Sequence, residues 1–321
     1  MKGKRFCLII AVLLAAALIM CSCIFCYAAD DQASVCADTD EAGVVLRKAM
    51  KDRRESVAVC LITDTAASKS EKLIGEVFEK ALEHSGKPSE GDYLRFQYDD
   101  SFASAKPVVV NGENAVMFVY EITYYDTAEQ EKALKKKVKE IISGLELEDK
   151  TDSEKIKAIY DYICDNVEYD YDSLPDQNNT LKYTAYAALI DGKAVCQGYS
   201  AAMYRLLLEA GVDNRIICGT DSEKEEPAND HTWNIVRLGD EYYNLDVTKD
   251  DELGEELYFL RGSGTFDNDH IRLEEYKTDG FTDAYKMSEA DYSDSSGFAR
   301  KIGAYIYGAG EKVCGLFSFG L

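Results

Sequence analysis

The sequence has few histidines, which many metal sites need, and an excess of acidic residues over the basic residues that nucleic-acid sites need. Its 321 residues include three histidines, one tryptophan and four prolines, and acidic residues outnumber basic residues by 59 to 36. Three histidines without an H-E-x-x-H pattern offer few zinc ligands, and strong negative charge disfavours nucleic acid and anionic membrane surfaces. We therefore expect no metal, no cofactor and no nucleic-acid partner, and we keep neutral or basic peptides as the partners that the composition allows.

Cysteines are more frequent, but their spacing predicts no disulfide framework. Four of the ten cysteines lie before residue 30. The other six, at positions 36, 60, 164, 196, 218 and 314, include no C-x-x-C pair and no zinc-site spacing. If one of these six is a free nucleophile, five remain, so at least one more must be unpaired.

A long apolar run at the N-terminus has the form of an export signal. Three basic residues precede an apolar stretch (7–20), and small residues follow near Ala28. We expect a signal peptide over 1–28, whose removal changes the formal net charge from −23 to −26, and hence a secreted or cell-surface protein. Two alternatives stay open. The run is long enough for an uncleaved membrane anchor, which would be the protein's only membrane contact. Cys21 and Cys23 suggest a lipoprotein, although Met20, just before Cys21, disfavours it.

The rest of the chain predicts a leader, two domains and an extension. Residues 29–42 are polar and acidic and are expected to form a flexible leader. Residues 43–146 predict a mixed α/β domain, 150–275 a second domain and 276–321 a C-terminal extension without clear periodicity. Within the first domain the pattern predicts helices at about 43–53, 69–84 and 127–144, and strands at 56–62, 92–97 and 115–125. No catalytic spacing of His, Cys or carboxylates occurs there, which indicates a packing or partner-presenting role.

The second domain is predicted to begin with a capped helix. Thr151 and Glu154 have capping-box spacing, in which each side chain satisfies a backbone N–H at the start of a helix. Apolar residues then recur at helical spacing, at Ile156, Ile159, Tyr160, Ile163 and Val167.

Cys196 is the first candidate for chemistry. It follows a Gly-containing loop and precedes apolar residues at helical spacing, so it is expected at the N-terminus of a buried helix that ends at Gly211. Free N–H groups and the positive end of the helix dipole stabilise a thiolate there, and the thiolate is the nucleophile. From this pattern alone, a small buried structural cysteine is the simpler interpretation.

The segment 231–248 predicts a β-hairpin that bears a histidine and an aspartate. Gly239-Asp240 favours a two-residue turn, which pairs residue 238 with 241 and, carried back, 233 with 246. His231 and Asp246 then become diagonal neighbours, so the aspartate can fix the histidine tautomer. In this register an apolar face is shared by Val236, Leu238, Tyr243, Leu245 and Val247, and the opposite face by His231, Trp233, Asp246 and Thr248.

The two remaining histidines are expected to lie outside any site. His84 falls near the end of an amphipathic helix and is interpreted as a surface residue. His270 is isolated within DNDHIRL and is interpreted as structural.

Three sequence blocks resemble the catalytic blocks of the transglutaminase-like superfamily, in the correct order. They are GKAVCQGYSAAMYRLLLEAG, HTWNIVRL and YYNLDVTKDD, and the preceding EKIKAIYDYICDNVEYDYD resembles a helix of secreted bacterial members. The resemblance covers about 151–275 and implies an α+β, papain-like core, in which a helix bearing the cysteine packs on an antiparallel sheet bearing histidine and aspartate. It implies that Cys196 is the nucleophile, His231 the base and Asp246 the orienting acid. Lys249 departs from the pattern, because many members have tryptophan there.

The expected activity is acyl transfer or hydrolysis on peptide or protein carboxamides through a Cys196 thioester, as in a crosslinking transglutaminase or a cysteine peptidase. The substrates would be peptides or proteins, with cell-wall and cell-surface chains as candidates. The Cys196 N–H is expected to contribute to an oxyanion hole, with Gln197 and Trp233 as candidates for the second donor or the substrate groove. The alternative function is a non-catalytic cell-surface binding module. The full Cys, His and Asp set favours the enzyme.

Overall fold

The computed structural model describes residues 9–10, 33–221 and 230–293. The predicted signal peptide, apart from Ile9–Ile10, and the end of the predicted C-terminal extension lie outside these ranges. No helix within them is both long and apolar enough to cross a membrane.

The strands are β1 (Ile9–Ile10), β2 (Ser34–Cys36), β3 (Ser56–Ile62), β4 (Tyr98–Val110), β5 (Glu113–Tyr124), β6 (Glu168–Tyr169), β7 (Lys193–Ala194), β8 (Asn214–Asp221), β9 (Asp230–Leu238), β10 (Glu241–Leu245) and β11 (His270–Arg272).

The α-helices are α1 (Thr39–Lys51), α2 (Glu71–Ala81), α3 (Asp92–Arg95), α4 (Ala128–Gly144), α5 (Asp152–Asn166), α6 (Cys196–Glu209), α7 (Val247–Leu253), α8 (Ser263–Phe266) and α9 (Asp279–Ala284). Three 3₁₀ turns (Ala67–Lys69, Thr180–Tyr183 and Glu274–Lys277) and one π-helical turn (Ala187–Asp191) complete the described elements.

A five-stranded sheet organises the N-terminal part, with the strand order β1-β4-β5-β3-β2. β5 pairs antiparallel with both β3 and β4, and β2 and β1 join the two edges in parallel. Val59 and Phe118 from the central strands are buried in one cluster with Leu46 of α1 and Phe78 of α2. The predicted mixed α/β architecture, the strand at 56–62 and the helix ending at Gly144 are therefore confirmed.

The predicted flexible leader at 29–42 is wrong in its second half. Ser34–Cys36 forms β2 beside β3, and the Cys36 side chain is buried. The Asp38 carboxylate accepts the Glu41 N–H at 2.9 Å and so caps α1. The acidic composition that suggested a leader is instead a helix start, because carboxylates are favourable at that end of the helix dipole.

The predicted strand at 92–97 is also wrong, because Asp92–Arg95 forms a helical turn. The Asp92 carboxylate is buried and accepts hydrogen bonds from the Arg215 side chain (2.6 and 2.8 Å) and from the Ile216 N–H (2.9 Å). These partners are more than 120 residues away, so local periodicity does not predict them. The neighbouring strand β4 was not predicted, since its thirteen residues are mostly half-exposed and do not alternate clearly.

The second part combines helices with a four-stranded antiparallel sheet of order β10-β9-β8-β11. The predicted α5 capping box is present: the Thr151 hydroxyl accepts the Glu154 N–H, and the Glu154 carboxylate accepts the Thr151 N–H. Helix α6 packs against β8 and β9, and its apolar side chains are almost wholly buried. This is the helix-on-sheet α+β arrangement that the sequence predicted.

The two predicted domains share one continuous hydrophobic cluster and a buried ionic network. Glu131 of α4 accepts hydrogen bonds from Arg205 of α6 (2.8 Å), from Arg53 (3.2 Å) and from the Tyr93 hydroxyl. Both arginine side chains are 2% exposed, so water does not screen these charges. The network fixes α6, which bears Cys196, to the N-terminal part of the structure.

Replacing Glu131 with alanine is expected to destabilise the fold by about 3–5 kcal/mol, because it leaves two buried arginines without this shared carboxylate. The measurement is the free energy of unfolding in urea. Glu140→Ala is the matched control on the same helix: it breaks only the exposed pair with Lys136, so it should cost about 0.3–0.5 kcal/mol. Equal losses in the two variants would contradict the structural role of the network.

Candidate active site

Cys196 is the first residue of α6, as predicted from the sequence. Val195 precedes it in an extended conformation, and the helix start has no side-chain cap. The thiol is half-buried among otherwise buried residues of the same helix. A half-buried thiol at an uncapped helix N-terminus can contact a substrate and benefits from the helix dipole.

The hairpin register around the turn is confirmed, but its end differs from the prediction. Leu238 pairs with Glu241 and Asn234 with Leu245, and Gly239 has the positive φ (63°) that a two-residue turn requires. β10 then ends at Leu245, and Asp246 is the N-cap of α7 instead of a strand residue paired with Trp233. The Asp246 carboxylate accepts the Lys249 N–H at 3.1 Å, which is the contact that starts the helix.

His231 and Asp246 nevertheless meet as predicted. The His231 Nε2 donates to Asp246 Oδ2 at 2.5 Å, and both side chains are almost wholly buried. Because Nε2 is engaged by the carboxylate, Nδ1 is the ring nitrogen left for Cys196. The predicted triad residues therefore come together in the structure: a cysteine on α6, a histidine on β9 and an aspartate just after β10.

The electrostatics favour a thiolate–imidazolium pair. Burial opposes ionisation of Cys196, but hydrogen bonds and charge from His231, with hydrogen bonds from Thr232, outweigh it and lower the pKa of the thiol. For His231, burial opposes protonation, but the Asp246 carboxylate and the Cys196 sulfur raise its pKa to about 10. Each group thus stabilises the charged form of the other.

The other cysteines of the described part of the chain have raised pKa values, whereas that of Cys196 is lowered. Burial raises the pKa of Cys36 to about 11 and that of Cys164 to about 12, with neighbouring acidic side chains adding to both. Burial also raises the pKa of Cys60 and Cys218. Of these five thiols, Cys196 is the one whose surroundings favour the thiolate, and none of the five is in a disulfide.

The two predicted oxyanion or groove candidates make other contacts. The Gln197 amide donates to the carbonyl oxygens of Phe96 (2.9 Å) and Tyr183 (3.3 Å), so its NH₂ group joins α6 to the N-terminal part. The Trp233 indole N–H donates to Asn244 Oδ1 at 3.2 Å, and its ring stacks beside His231. Neither side-chain donor is free to bind an oxyanion, and Trp233 instead packs against the His231 ring.

Tyr169 lies beside the nucleophile and was not identified from the sequence. β6 pairs in parallel with β7, which ends two residues before Cys196, and this pairing brings the Tyr169 hydroxyl near the Cys196 N–H and thiol. Burial raises the pKa of the Tyr169 hydroxyl, so it stays protonated at neutral pH. It lies in the tyrosine-rich EYDYD segment, but only the β6–β7 pairing shows which tyrosine reaches Cys196.

A cleft of about 830 Å³ is lined in part by Tyr169. Cys196 is not among its lining residues; Tyr169 is the residue that the cleft and the surroundings of Cys196 share. Tyr171 and Lys193 also line the cleft, and its carboxylates belong to Asp165, Glu168, Asp191, Asp251 and Glu252.

His270 is the residue that sequence reasoning most clearly missed. Its Nε2 lies 3.0 Å from Asp246 Oδ2, the oxygen that also accepts from His231. It comes 24 residues after Asp246 and is brought to the site by the pairing of β11 with β8. A single sequence contains no local signal for this contact, since it depends on strand order.

His231, Asp246 and His270 also place one potential metal-ligand atom each within 4.8 Å of one another. The two ring nitrogens lie at hydrogen-bond distances from one carboxylate oxygen, 2.5 and 3.0 Å, so hydrogen bonds account for all three atoms. We therefore treat the cluster as a hydrogen-bonded group.

A family model matches the part of the chain that contains these residues. The model of the transglutaminase-like superfamily matches residues 138–247, from within α4 to the first residue of α7. Residues 138–247 of the chain are therefore a transglutaminase-like core. The match to this transglutaminase-like core includes Cys196, His231 and Asp246, but His270 lies beyond it.

Relatives of the transglutaminase-like core are distant. Kyphoscoliosis peptidase of Mus musculus is 26% identical over 164 residues, and that of Homo sapiens is 27% identical over 150 residues. These alignments cover 46% and 41% of this chain but only 25% and 22% of the relatives, so the chain spans about a quarter of their length. A crystal structure of a TGase is 14% identical, with a TM-score of 0.33, and covers 67% of this chain and 59% of that chain.

Proposed function

We propose that the protein is a cysteine enzyme that transfers or hydrolyses acyl groups of peptide or protein carboxamides through a thioester on Cys196. The observation that carries this proposal is the arrangement of Cys196 next to His231, whose Nε2 is held by Asp246 at 2.5 Å. The match of residues 138–247 to the transglutaminase-like superfamily supports the same class of chemistry.

The first half-reaction forms the acyl-enzyme. The Cys196 thiolate attacks the carbonyl carbon and forms a C–S bond, and the carbonyl oxygen takes up negative charge. The C–N bond then breaks, and the imidazolium of His231 donates its Nδ1 proton to the departing nitrogen. Asp246 stays ionised and holds the ring in the required orientation.

The second half-reaction returns the enzyme to its starting state. Neutral His231 accepts a proton from water or an amine, which attacks the thioester carbon. The C–S bond breaks, and the thiolate–imidazolium pair forms again. Water gives peptide cleavage or deamidation, whereas a lysine amine gives a crosslink.

The developing oxyanion would bind between the Cys196 N–H and the Tyr169 hydroxyl. These two groups are adjacent in the structure, and both can donate toward a carbonyl oxygen that lies over the thiol. This assignment replaces Gln197 and Trp233, whose side-chain donors bind other protein atoms.

We further propose that the enzyme acts outside the cytoplasm. The support is the basic and apolar N-terminal segment, which has the composition of an export signal. Fractionation of cells that express the full chain would test this: recovery of all the protein in the cytoplasm, at its full-length mass, would contradict export.

Iodoacetamide labelling is the direct test of the nucleophile. Between about pH 5 and pH 8, below the usual thiol pKa of about 8.5, labelling is expected at Cys196 because its neighbours stabilise the thiolate. Mass spectrometry locates the modified residue. Cys36 and Cys164 serve as internal controls, since their raised pKa values keep them as thiols in this range.

Equal or slower labelling of Cys196 than of these controls would count against an activated thiolate. It would favour the alternative, a binding module that keeps the fold without catalysis. Selective labelling would justify two acceptor assays on a protein substrate such as casein: release of peptides for water, and incorporation of a fluorescent primary amine for a crosslinking activity.

A further inference from the structure

His270 has an environment that packing alone does not explain. Its side chain is 0% exposed, and each ring nitrogen faces a carboxylate: Nε2 is 3.0 Å from Asp246 Oδ2, and Nδ1 is 2.7 Å from Asp269 Oδ1. Ionised carboxylates only accept hydrogen bonds, so each carboxylate takes a ring nitrogen of His270 as its partner. A buried residue with two such partners holds each carboxylate in place.

The ring of His270 is itself fixed by aromatic side chains. Phe266 stacks on it with ring centroids 3.9 Å apart, and Trp233 and Tyr258 pack edge-on, each at 5.2 Å. The Tyr258 hydroxyl donates to Asp269 Oδ2 at 2.7 Å, which fixes the outer carboxylate as well. The imidazole therefore has little freedom to turn away from Asp246.

Asp246 needs this support because it is wholly buried. Burial alone would favour the neutral acid, yet charge and hydrogen bonds from His231 and His270 hold the pKa of Asp246 well below its usual range. Oδ2 accepts from both histidines, and Oδ1 accepts the Lys249 N–H. His270 supplies one of the three donors to this carboxylate among the described residues.

We propose that His270 is a positioning residue of the candidate active site, which holds the Asp246 carboxylate in the orientation that supports His231 and Cys196. The inference rests on the proposed function, and it extends the group of three residues into a hydrogen-bonded chain: Asp269, His270, Asp246, His231 and Cys196. His270 does not touch the substrate, and its effect reaches Cys196 through Asp246 and His231.

The consequence is a change in thiol ionisation when His270 is lost. Without its Nε2–H, the buried Asp246 loses a donor, and its ionised form becomes less stable. The carboxylate is then held less firmly toward His231, so it supports the His231 imidazolium less, and this in turn supports the Cys196 thiolate less. The titratable groups that face His270 are Asp246, Asp269, His231, Asp267 and Tyr258.

The experiment compares His270→Leu with His270→Gln in the full chain, using the rate of Cys196 alkylation by iodoacetamide as a function of pH. The Leu variant is expected to move the acidic limb of the profile upward by about one pH unit. The Gln variant is expected to stay close to the wild type, because the Gln amide nitrogen can take the place of Nε2 as a donor. This rescue distinguishes hydrogen bonding from filling of space.

Two further variants keep the test interpretable. His84→Leu is the matched control, since His84 also binds a carboxylate (Asp213, 2.9 Å) but lies outside the site, and it should leave the profile unchanged. Asp269→Asn keeps the shape of the outer partner and is expected to shift the limb in the same direction by less. It replaces His270→Leu as the deciding variant if the latter does not fold.

The outcomes separate this inference from the proposed function, because alkylation needs no substrate. An unshifted profile in His270→Leu, or equal shifts in the Leu and Gln variants, would overturn the positioning role. A shifted profile in His270→Leu, together with a profile close to the wild type in His270→Gln, would support the positioning role. Absence of carboxamide turnover by the wild-type protein would count against the proposed function only.

Discussion

The Cys196→Ala variant is expected to lose turnover of carboxamide substrates by roughly 10⁶-fold, the scale found when an enzyme loses its nucleophile. The thiol is the atom that forms the thioester, and no other cysteine in the described residues has surroundings that favour its thiolate. The fold should persist, because the half-buried Cys196 is not among the residues of the buried hydrophobic clusters in the described part of the chain. Turnover is measured with both water and a primary amine as acceptor.

Cys164→Ala is the control for this variant. Cys164 is also half-buried, but its pKa is raised to about 12, and it should be replaceable with full retention of activity. Circular dichroism and the urea midpoint check that both variants are folded. Turnover in Cys196→Ala equal to that of the wild type would remove Cys196 from the mechanism, and an unfolded Cys196→Ala would make it a structural residue.

The Asp246→Asn variant is expected to lower kcat by about 10³- to 10⁴-fold, as loss of an orienting aspartate does in a catalytic triad. Oδ2 of the Asp246 carboxylate now accepts from both histidines. Asparagine has one acceptor oxygen instead of two, and it has no charge to stabilise the His231 imidazolium. The pKa of His231 should therefore fall from about 10 toward its usual value of about 6.5. Since the imidazolium protonates the leaving nitrogen, activity should then be lost near neutral pH instead of near pH 10.

The measurement is the pH dependence of kcat in the two proteins. In the wild type, activity should rise as Cys196 ionises, below the usual thiol pKa of about 8.5, and fall as His231 loses its proton near pH 10. Asp213→Asn is the matched control, because Asp213 binds His84 in the same way outside the site. An alkaline limb that stays near pH 10 in Asp246→Asn would show that this carboxylate does not set the protonation of His231.

Several features of the site follow from local sequence. The helix that begins at Cys196 follows from the spacing of apolar residues after a glycine-containing loop, and the structure places its first turn there. The hairpin register follows from Gly239-Asp240, since a two-residue turn fixes the pairing of the residues next to it. The faces of the hairpin also agree: Val236, Leu245 and Val247 are buried in the main cluster, and Trp233 lies in a second cluster on the other face.

Other features depend on contacts between distant residues. Extrapolation of the hairpin register to Asp246 is wrong, because the carboxylate caps α7 and ends the strand. Gln197 was predicted beside the oxyanion, but Phe96, about 100 residues earlier, accepts its amide. Asp92 likewise forms a helical turn instead of a strand, because Arg215 and Ile216 bind its carboxylate.

The sequence by itself therefore determined the cysteine helix, the capped start of α5 and the hairpin register next to its turn, because helical spacing, capping residues and a two-residue turn are properties of neighbouring residues. The α+β class and the histidine–aspartate pair were indicated by the family resemblance of the sequence blocks. The tertiary structure decided that Tyr169 lies against the Cys196 N–H, that His270 binds Asp246, and that Glu131 joins α6 to the N-terminal part. These contacts join residues 24 to 74 positions apart. They form only when sheet order and helix packing bring the segments together, and no local pattern specifies that order.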